Sequence, residues 1–306
     1  MGAPATSLSM KGTLMLIREL LLALRVHQWV KNLLVFVAPL LGGALFAQQS
    51  FLRAALVFLA FCAAASGTYL INDLLDLKSD REHPRKRNRP FASGRLHLAF
   101  AALGPILLLV GFGIALYVSG PTASIVAGYI VLSLSYSLFL KKRPLVDVFA
   151  LSLLYTVRIY AGQVALDVEP SNWLVMYSGF LFLSLAILKR VSEYQAIVKS
   201  KTAYETGRGY RTTDMEVLKS MGVASSFASS MVLALYIDSE SAAIAYKYPM
   251  LLWSVVPILL FWQSRMWLAA ARGNMTDDPI VFAARDWVSW FCLLLLLAIY
   301  AIPLYF

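Results

Sequence analysis

Cysteine, histidine and charge are all scarce in this chain of 306 residues. Its two cysteines, Cys62 and Cys292, both lie inside apolar runs and its three histidines are scattered. That excludes a disulfide framework and leaves no Cys/His cluster of metal-ligand spacing. Charged residues make up only 14% and hydrophobic ones 59%, with a mean hydropathy of +0.69. A soluble domain is typically about half apolar and about a quarter charged, so a soluble globular class is excluded and an all-α integral membrane protein is expected. Long polar stretches are lacking too, and a single domain over 1–306 follows. The first 25 residues have no compact n-region, h-region and small-residue cleavage site, so they do not read as a secretory signal. Residues 1–27 read instead as a cytoplasmic amphipathic segment. In it "LMLIRELLLALRVHQW" lies on the membrane surface, with Arg18 and Arg25 toward phosphate head groups.

What is abundant is apolar sequence in lengths that cross a bilayer, roughly 17 to 25 residues each. Nine such runs can be marked, at 28–48, 53–76, 96–118, 121–140, 144–166, 171–190, 214–236, 249–270 and 281–304. The cations alternate with them. Four Lys and Arg lie from Lys11 to Lys31, seven from Lys78 to Arg95, three at 141–143, six from Lys189 to Arg211 and three from Arg265 to Arg285. The intervening connections "SGPT", "DVEPSN" and 237–249 are neutral or acidic. The positive-inside rule then puts the N-terminus and every basic loop in the cytoplasm. The net charge of +10 is therefore one-sided, which suits anionic lipid heads and phosphate-bearing ligands. No nucleic-acid partner is expected, because these cations flank spans and come with carboxylates.

The densest charge is in "NDLLDLKSDREHPRKRNRP", residues 72–90, which carries four carboxylates and six cations beside an apolar run. If the second span continues as a helix through Asp80, Asp73, Asp76 and Asp80 share about 60° of arc. Such a trio would repel and take up protons unless one or two Mg²⁺ ions held it ionised. Asn72 adds an oxygen or an amide donor beside it. The plainer alternative is a solvated helix end whose acids pair with the cations that follow. Pro84 and Pro90 stop the helix and leave a basic loop in which Arg81, Arg85, Lys86, Arg87 and Arg89 suit anionic oxygens, Arg gripping phosphate at two points. Acids for metal and cations for phosphate together read as a metal–diphosphate site.

The N-D-x-x-D-x-x-x-D pattern of "NDLLDLKSD" resembles the first aspartate-rich motif of the UbiA superfamily of intramembrane prenyltransferases. More narrowly, "RVHQWVKNLLVFVAPLL", "REHPRKRNRPFASG", "RPLVDVFALSLLYTVRIYAG" and "LSLAILKRVSEY" look like its polyprenyl-phosphate (decaprenyl-phosphate) phosphoribosyltransferase branch. The resemblance implies nine transmembrane helices around a central cavity and an Mg²⁺-dependent active site facing the cytoplasm of a bacterial inner membrane. It also implies transfer of phosphoribose from phosphoribosyl pyrophosphate to a polyprenyl phosphate, and it is compatible with a homo-oligomer. Prenyl-transferring members carry a second acidic motif after the sixth span. Here that region is "KRVSEY", with Lys189 and Arg190 before the lone acid Glu193.

Lys189 and Glu193 stand four apart on one helical face, either as substrate contacts or as a helix-end pair. Arg158 sits midway along an apolar run, where a charge normally faces the interior. It reads as a phosphate contact or as half of an ion pair with Asp147, about 16 Å away along the same helix. Lys31 reads as a contact for a lipid phosphate or as a snorkelling cation; Lys141 belongs to a basic loop on the same side; Arg208 and Tyr210 lie in a Gly-Arg-Gly loop that can close over a phosphate. Two rival functions stay open, a prenyltransferase acting on an aromatic acceptor and a non-catalytic polyprenyl-phosphate carrier.

Overall fold

The computed structural model describes residues 5–44, 47–83, 86–166, 170–200, 209–275 and 278–305, and every regular element among them is helical. The α-helices are α1 (Ala5–Ala23), α2 (Val37–Leu41), α3 (Gln48–Leu75), α4 (Leu77–Glu82), α5 (Leu103–Val118), α6 (Gly120–Leu138), α7 (Val146–Val164), α8 (Asn172–Ser200), α9 (Asp214–Ile237), α10 (Glu240–Ala245), α11 (Val255–Ala271), α12 (Pro279–Arg285) and α13 (Trp287–Tyr305). A 3₁₀ segment, Val26–Phe36, joins α1 to α2. Among the described residues six helices are long and apolar enough to cross a membrane: Gln48–Leu75, Leu98–Val118, Gly120–Leu138, Asn172–Ala196, Asp214–Ile237 and Pro249–Ala271. Two bent pairs raise the number to eight, Gly12–Ala23 with Val26–Leu41 at 48° and Pro279–Arg285 with Trp287–Ile302 at 82°. The run expected at 144–166 is helical in α7 but is not one of these eight.

The chain forms two compact units. The first comprises Met1–Leu40, Ala44–Leu138 and Ala161–Glu169, and the second Leu41–Gly43, Phe139–Tyr160 and Pro170–Phe306. In the first, α3 is the central element. At 28 residues it is about 42 Å long, longer than the roughly 30 Å of bilayer hydrocarbon, so an apolar helix can carry polar residues at its end. Its buried face is made mostly of small residues, Ala54, Ala60, Ala64, Ala65, Ser66 and Gly67 among them. A β-carbon on Gly67 would lie 2.7 Å from the Gly104 carbonyl oxygen, and one on Gly111 would lie 2.7 Å from that of Ala60. Two backbones that close pack through small side chains, the means by which helices associate in lipid where apolar burial gives no drive. The 3₁₀ segment is tied to the same helix by Trp29, whose indole N–H donates to Ser66 Oγ at 3.0 Å.

The second unit is held by α8 and α9 through Ala186, Ile187, Val191, Met215 and Leu218, with Val148 of α7 in the same cluster. Buried polar groups join its helices as well. The Gln263 amide of α11 accepts from Ser226 at 2.5 Å and donates to Ser229 at 3.0 Å, both on α9. Gly222 leaves room for the Trp267 ring, which a β-carbon would meet at 2.3 Å. The tight bend before α13 is fixed by Asp286, which takes both Arg265 guanidinium nitrogens, at 2.5 and 2.8 Å, and caps α13 by accepting from the Ser289 backbone at 2.9 Å.

Candidate functional site

In the first unit the acidic motif straddles a break. α3 ends at Leu75, Asp76 takes φ −88° and ψ 6°, and α4 restarts at Leu77. The sequence expectation of one uninterrupted helix through Asp80 is corrected here, the helix being interrupted at Asp76 alone. Helical hydrogen bonds still run through the break, Asp76 N–H donating to the Asn72 carbonyl at 2.9 Å and Asp80 N–H to the Asp76 carbonyl at 2.8 Å, and Asp73 and Asp80 are buried while Asp76 is half-buried. One guanidinium nitrogen joins the buried pair: Arg89 Nη1 lies 3.1 Å from Asp73 Oδ1 and 2.6 Å from Asp80 Oδ2. Arg25 Nη2 donates to the same Asp73 oxygen at 2.6 Å, and its guanidinium lies over the Tyr69 ring, 4.5 Å from the centroid. Ala23, Leu70, Phe91, Leu96 and Ala101 form an apolar cluster at this end of the unit.

Arg25 is the residue that sequence reasoning placed wrongly. It turns inward to a carboxylate rather than outward to head groups, because α1 stops at Ala23 and Arg25 itself adopts a left-handed backbone, φ 52° and ψ 46°. A second link draws the same helix in: Glu19, fully buried, pairs with Arg95 at 3.5 Å. Hydrophobic periodicity carries no sign of either contact.

Whether the acids suit a divalent cation can be judged from their geometry. Among the described residues no three of His, Cys, Asp and Glu converge as a metal cage. Mg²⁺, however, is commonly held by one or two carboxylates, with substrate phosphates and water completing its shell. Asp73 and Asp80 meet that need. They stand close enough to share one cationic nitrogen, and Asp80 Oδ1 is buried with no hydrogen-bond partner. These two residues fit the ion and would hold it. Of the other candidates nearby, Asn72 is half-buried beside Asp73, while Arg81, Lys86 and Arg87 are exposed. Arg85 lies outside the described residues. Lys31 is half-buried on the 3₁₀ segment, and its neighbour Asn32 is buried and donates to Cys62 Sγ at 3.3 Å.

The second unit contains a different cluster. Asp147, at the start of α7, is fully buried and accepts from Arg190 Nε of α8 at 2.7 Å, and Arg190 Nη1 reaches Glu193 at 2.5 Å. The Tyr210 hydroxyl donates to the other Asp147 oxygen and accepts from the Leu145 backbone at 2.9 Å. Burial first, and then that hydrogen bond to a carboxylate, push the Tyr210 phenol above its ordinary value of 10.0. The partnerships differ from those expected by spacing. Asp147 pairs with Arg190 rather than with Arg158, whose guanidinium donates to the Leu154 carbonyl one turn back and lies 5.9 Å from the Tyr155 ring centre. Lys189 pairs with Asp278 at 3.1 Å, while Glu193 is engaged by Arg190. Asp278 also caps α12 through the Ile280 backbone at 2.9 Å. Lys141 is half-buried in the loop before α7, and Arg208 lies outside the described residues.

With this geometry in hand, similarity to known proteins can be weighed. The profile of the UbiA prenyltransferase family matches residues 36–279. The uncharacterized protein y4nM of Sinorhizobium fredii is 37% identical over 278 residues, which are 90% of this chain and 54% of that protein. The nodulation protein NoeC of Azorhizobium caulinodans is 33% identical over 275 residues, 89% of each. The decaprenyl-phosphate phosphoribosyltransferase of Corynebacterium glutamicum is 39% identical over 176 residues, 56% of this chain and 53% of that one. The chain thus spans about half the length of two of these three relatives. Among solved structures, a UbiA homolog from Archaeoglobus fulgidus bound to GPP and Mg²⁺ superposes with a TM-score of 0.69 at 18% identity, covering 92% of this chain and 99% of that one.

Proposed function

The chain belongs to the UbiA prenyltransferase family, and from that premise we propose that it transfers 5-phosphoribose from phosphoribosyl pyrophosphate to a polyprenyl phosphate. The observation that carries the reading is the single acidic pair, Asp73 and Asp80, bridged by Arg89. It offers carboxylates for one divalent ion and guanidiniums for the phosphate oxygens of a diphosphate leaving group. The sequence at the end of α8 carries one carboxylate, Glu193, rather than a second acidic set. A prenyl diphosphate donor would call for such a set. The similarity to the corynebacterial phosphoribosyltransferase points the same way.

In this reading Asp73, Asp76 and Asp80 would hold Mg²⁺ and Asn72 would orient the diphosphate. The ion supplies charge neutralisation to the departing diphosphate. A phosphate oxygen of the lipid forms a bond to the anomeric carbon as the bond from that carbon to the diphosphate breaks and pyrophosphate leaves. The nucleophile is already an anion, so positioning and cationic groups do the work and no strong base is needed. Arg81, Arg85, Lys86, Arg87 and Lys31 are proposed contacts for anionic oxygens. Lys189, with 29% of its side chain exposed, is proposed as a further phosphate contact, and Arg158, Arg190, Arg208, Tyr210 and Lys141 as supports for the substrates. The reading carries with it nine spans about a central cavity, counting α7, one functional domain and cytoplasmic basic loops in a bacterial inner membrane. Its product would feed arabinofuranose or ribofuranose donors.

The test incubates membranes with labelled phosphoribosyl pyrophosphate and polyprenyl phosphate, with and without Mg²⁺. Label should enter the lipid only when all three are present. A second reading, prenyl transfer from a polyprenyl diphosphate, is favoured by the fold shared with the GPP-bound archaeal homolog. Prenyl transfer to an aromatic acceptor without any phosphoribosyl transfer would decide for it.

A further inference from the structure

The Asp73–Asp80 pair is already neutralised by groups of the chain itself. Two carboxylates face two guanidiniums, those of Arg25 and Arg89, and together the guanidiniums carry the charge of one divalent cation. Three features mark the arrangement as exchangeable. Arg89 bridges the two acids through a single nitrogen, the place a shared ion would take. Both cations keep contact with solvent, 21% and 25% of their side chains being exposed, against 3% and 2% for the acids they meet. Arg25 reaches Asp73 from a left-handed backbone, a conformation that L-residues other than Asn and Asp seldom adopt and that tends to persist where it serves a function. Asp80 Oδ1, buried and without a hydrogen-bond partner, is the oxygen at which an ion can first coordinate.

We propose that Arg25 and Arg89 are built-in counter-cations of the Asp73–Asp80 pair, displaced by an entering divalent cation and thereby released to grip the phosphate oxygens of the ligand. The two guanidiniums give the buried carboxylates the close partners that charges removed from water need. Once displaced, each guanidinium can accept an anionic oxygen in its place. Arg25 is then a positioning residue supplied by the end of α1, outside the aspartate-rich motif. The inference rests on the reading of Asp73 and Asp80 as a divalent-cation site.

The two ideas can be tested apart. The purified full-length protein is titrated with Mn²⁺, unbound Mn²⁺ being followed by electron paramagnetic resonance, first alone and then with inorganic pyrophosphate. Wild type is compared with Arg25→Asn, Arg89→Gln and the Asp73→Asn/Asp80→Asn pair. Asn tolerates the left-handed backbone at position 25, so that variant keeps the local fold even if Arg89→Gln does not. Without pyrophosphate, loss of a competing cation should tighten Mn²⁺ binding about tenfold, equivalent to about 1.4 kcal/mol. With saturating Mn²⁺, pyrophosphate should bind Arg25→Asn several-fold more weakly than wild type. A merely structural role for Arg25 would weaken both. If Mn²⁺ binds wild type and depends on the two aspartates, yet binds the arginine variants no more tightly, the counter-cation proposal is overturned and the site stands. If Mn²⁺ does not bind, or binds equally well without the two aspartates, the site reading falls and the proposal with it.

Discussion

The two charged clusters of this protein use the same residue types to opposite ends. In the first unit Arg25 and Arg89 approach Asp73 and Asp80 from the exposed side, and one carboxylate oxygen is left without a hydrogen bond. In the second, Arg190 and Asp147 are both almost fully buried, and Glu193 and Tyr210 complete their hydrogen bonding. A matched buried network fixes geometry, whereas an incompletely matched one at a solvent edge can change partners. The comparison teaches that Arg190 is gripped from both sides, by Asp147 of α7 and Glu193 of α8, while the cations that meet acids with one side still exposed lie in the first unit.

Three variants would break or sharpen that contrast. The largest effect is expected from Asp73→Asn. Loss of metal and leaving-group stabilisation worth several kcal/mol should slow transfer by on the order of 10³-fold, with thermal unfolding in detergent little changed. Near-normal turnover would remove Asp73 from the chemistry. Asp147→Ala should do the reverse at the level of the fold, because it removes the fully buried one of the two carboxylates that meet Arg190 and leaves only Glu193, a loss approaching the about 3–5 kcal/mol of a broken buried ion pair. Unchanged stability would mean that the second cluster is not structural. The smallest effect belongs to Tyr210→Phe, which removes one hydrogen bond to a charged group, worth about 1.5–3 kcal/mol. Its pH dependence has a definite sign. The folded phenol is held above its ordinary 10.0, so its contribution is complete below pH 10 and declines as pH rises beyond it toward the folded value. The stability gap between wild type and Tyr210→Phe should therefore narrow in alkali, and a gap that widened would contradict the assignment.

Much of the first cluster was legible in the sequence, because acids that begin inside an apolar run are costly unless they serve a purpose. Asp73 and Asp80 were found that way, and Arg89 through its place in the basic loop. Asp76 was grouped with them by spacing, and spacing does not show that the helix is interrupted there or that Asp76 is half-buried where the other two are buried. Arg25 was hidden for a related reason. Amphipathicity describes a helix face, and Arg25 lies just past the end of the helix, where a backbone reversal decides its direction. In the second cluster the failure was one of distance along the chain. For Asp147 the sequence suggested no partner but Arg158 on its own helix, as one of two alternatives and about 16 Å away, whereas its partner is 43 residues away on α8. The helical class and most of the long apolar elements were legible because lipid requires backbone hydrogen bonds to be satisfied within each segment. The straightness of those elements was not, since the 48° bend falls at Leu24 and Arg25 and the 82° bend at Asp286, short breaks that periodicity does not mark.

The glycine seam between α3 and α5 bears on how the protein is made. Gly67 against Gly104 and Gly111 against Ala60 join helices that follow one another closely in the chain, so this contact needs nothing translated later. Local contacts form quickly, and domains tend to assemble from the N-terminal end during synthesis. The Asp73 end of α3 can thus be anchored in the bilayer while α8, with Arg190 and Glu193, is still to be synthesised. Nascent chains halted after Leu138 should already cross-link across the Ala60–Gly111 contact, and a bulky residue at Gly111 should abolish that link at the same early stage.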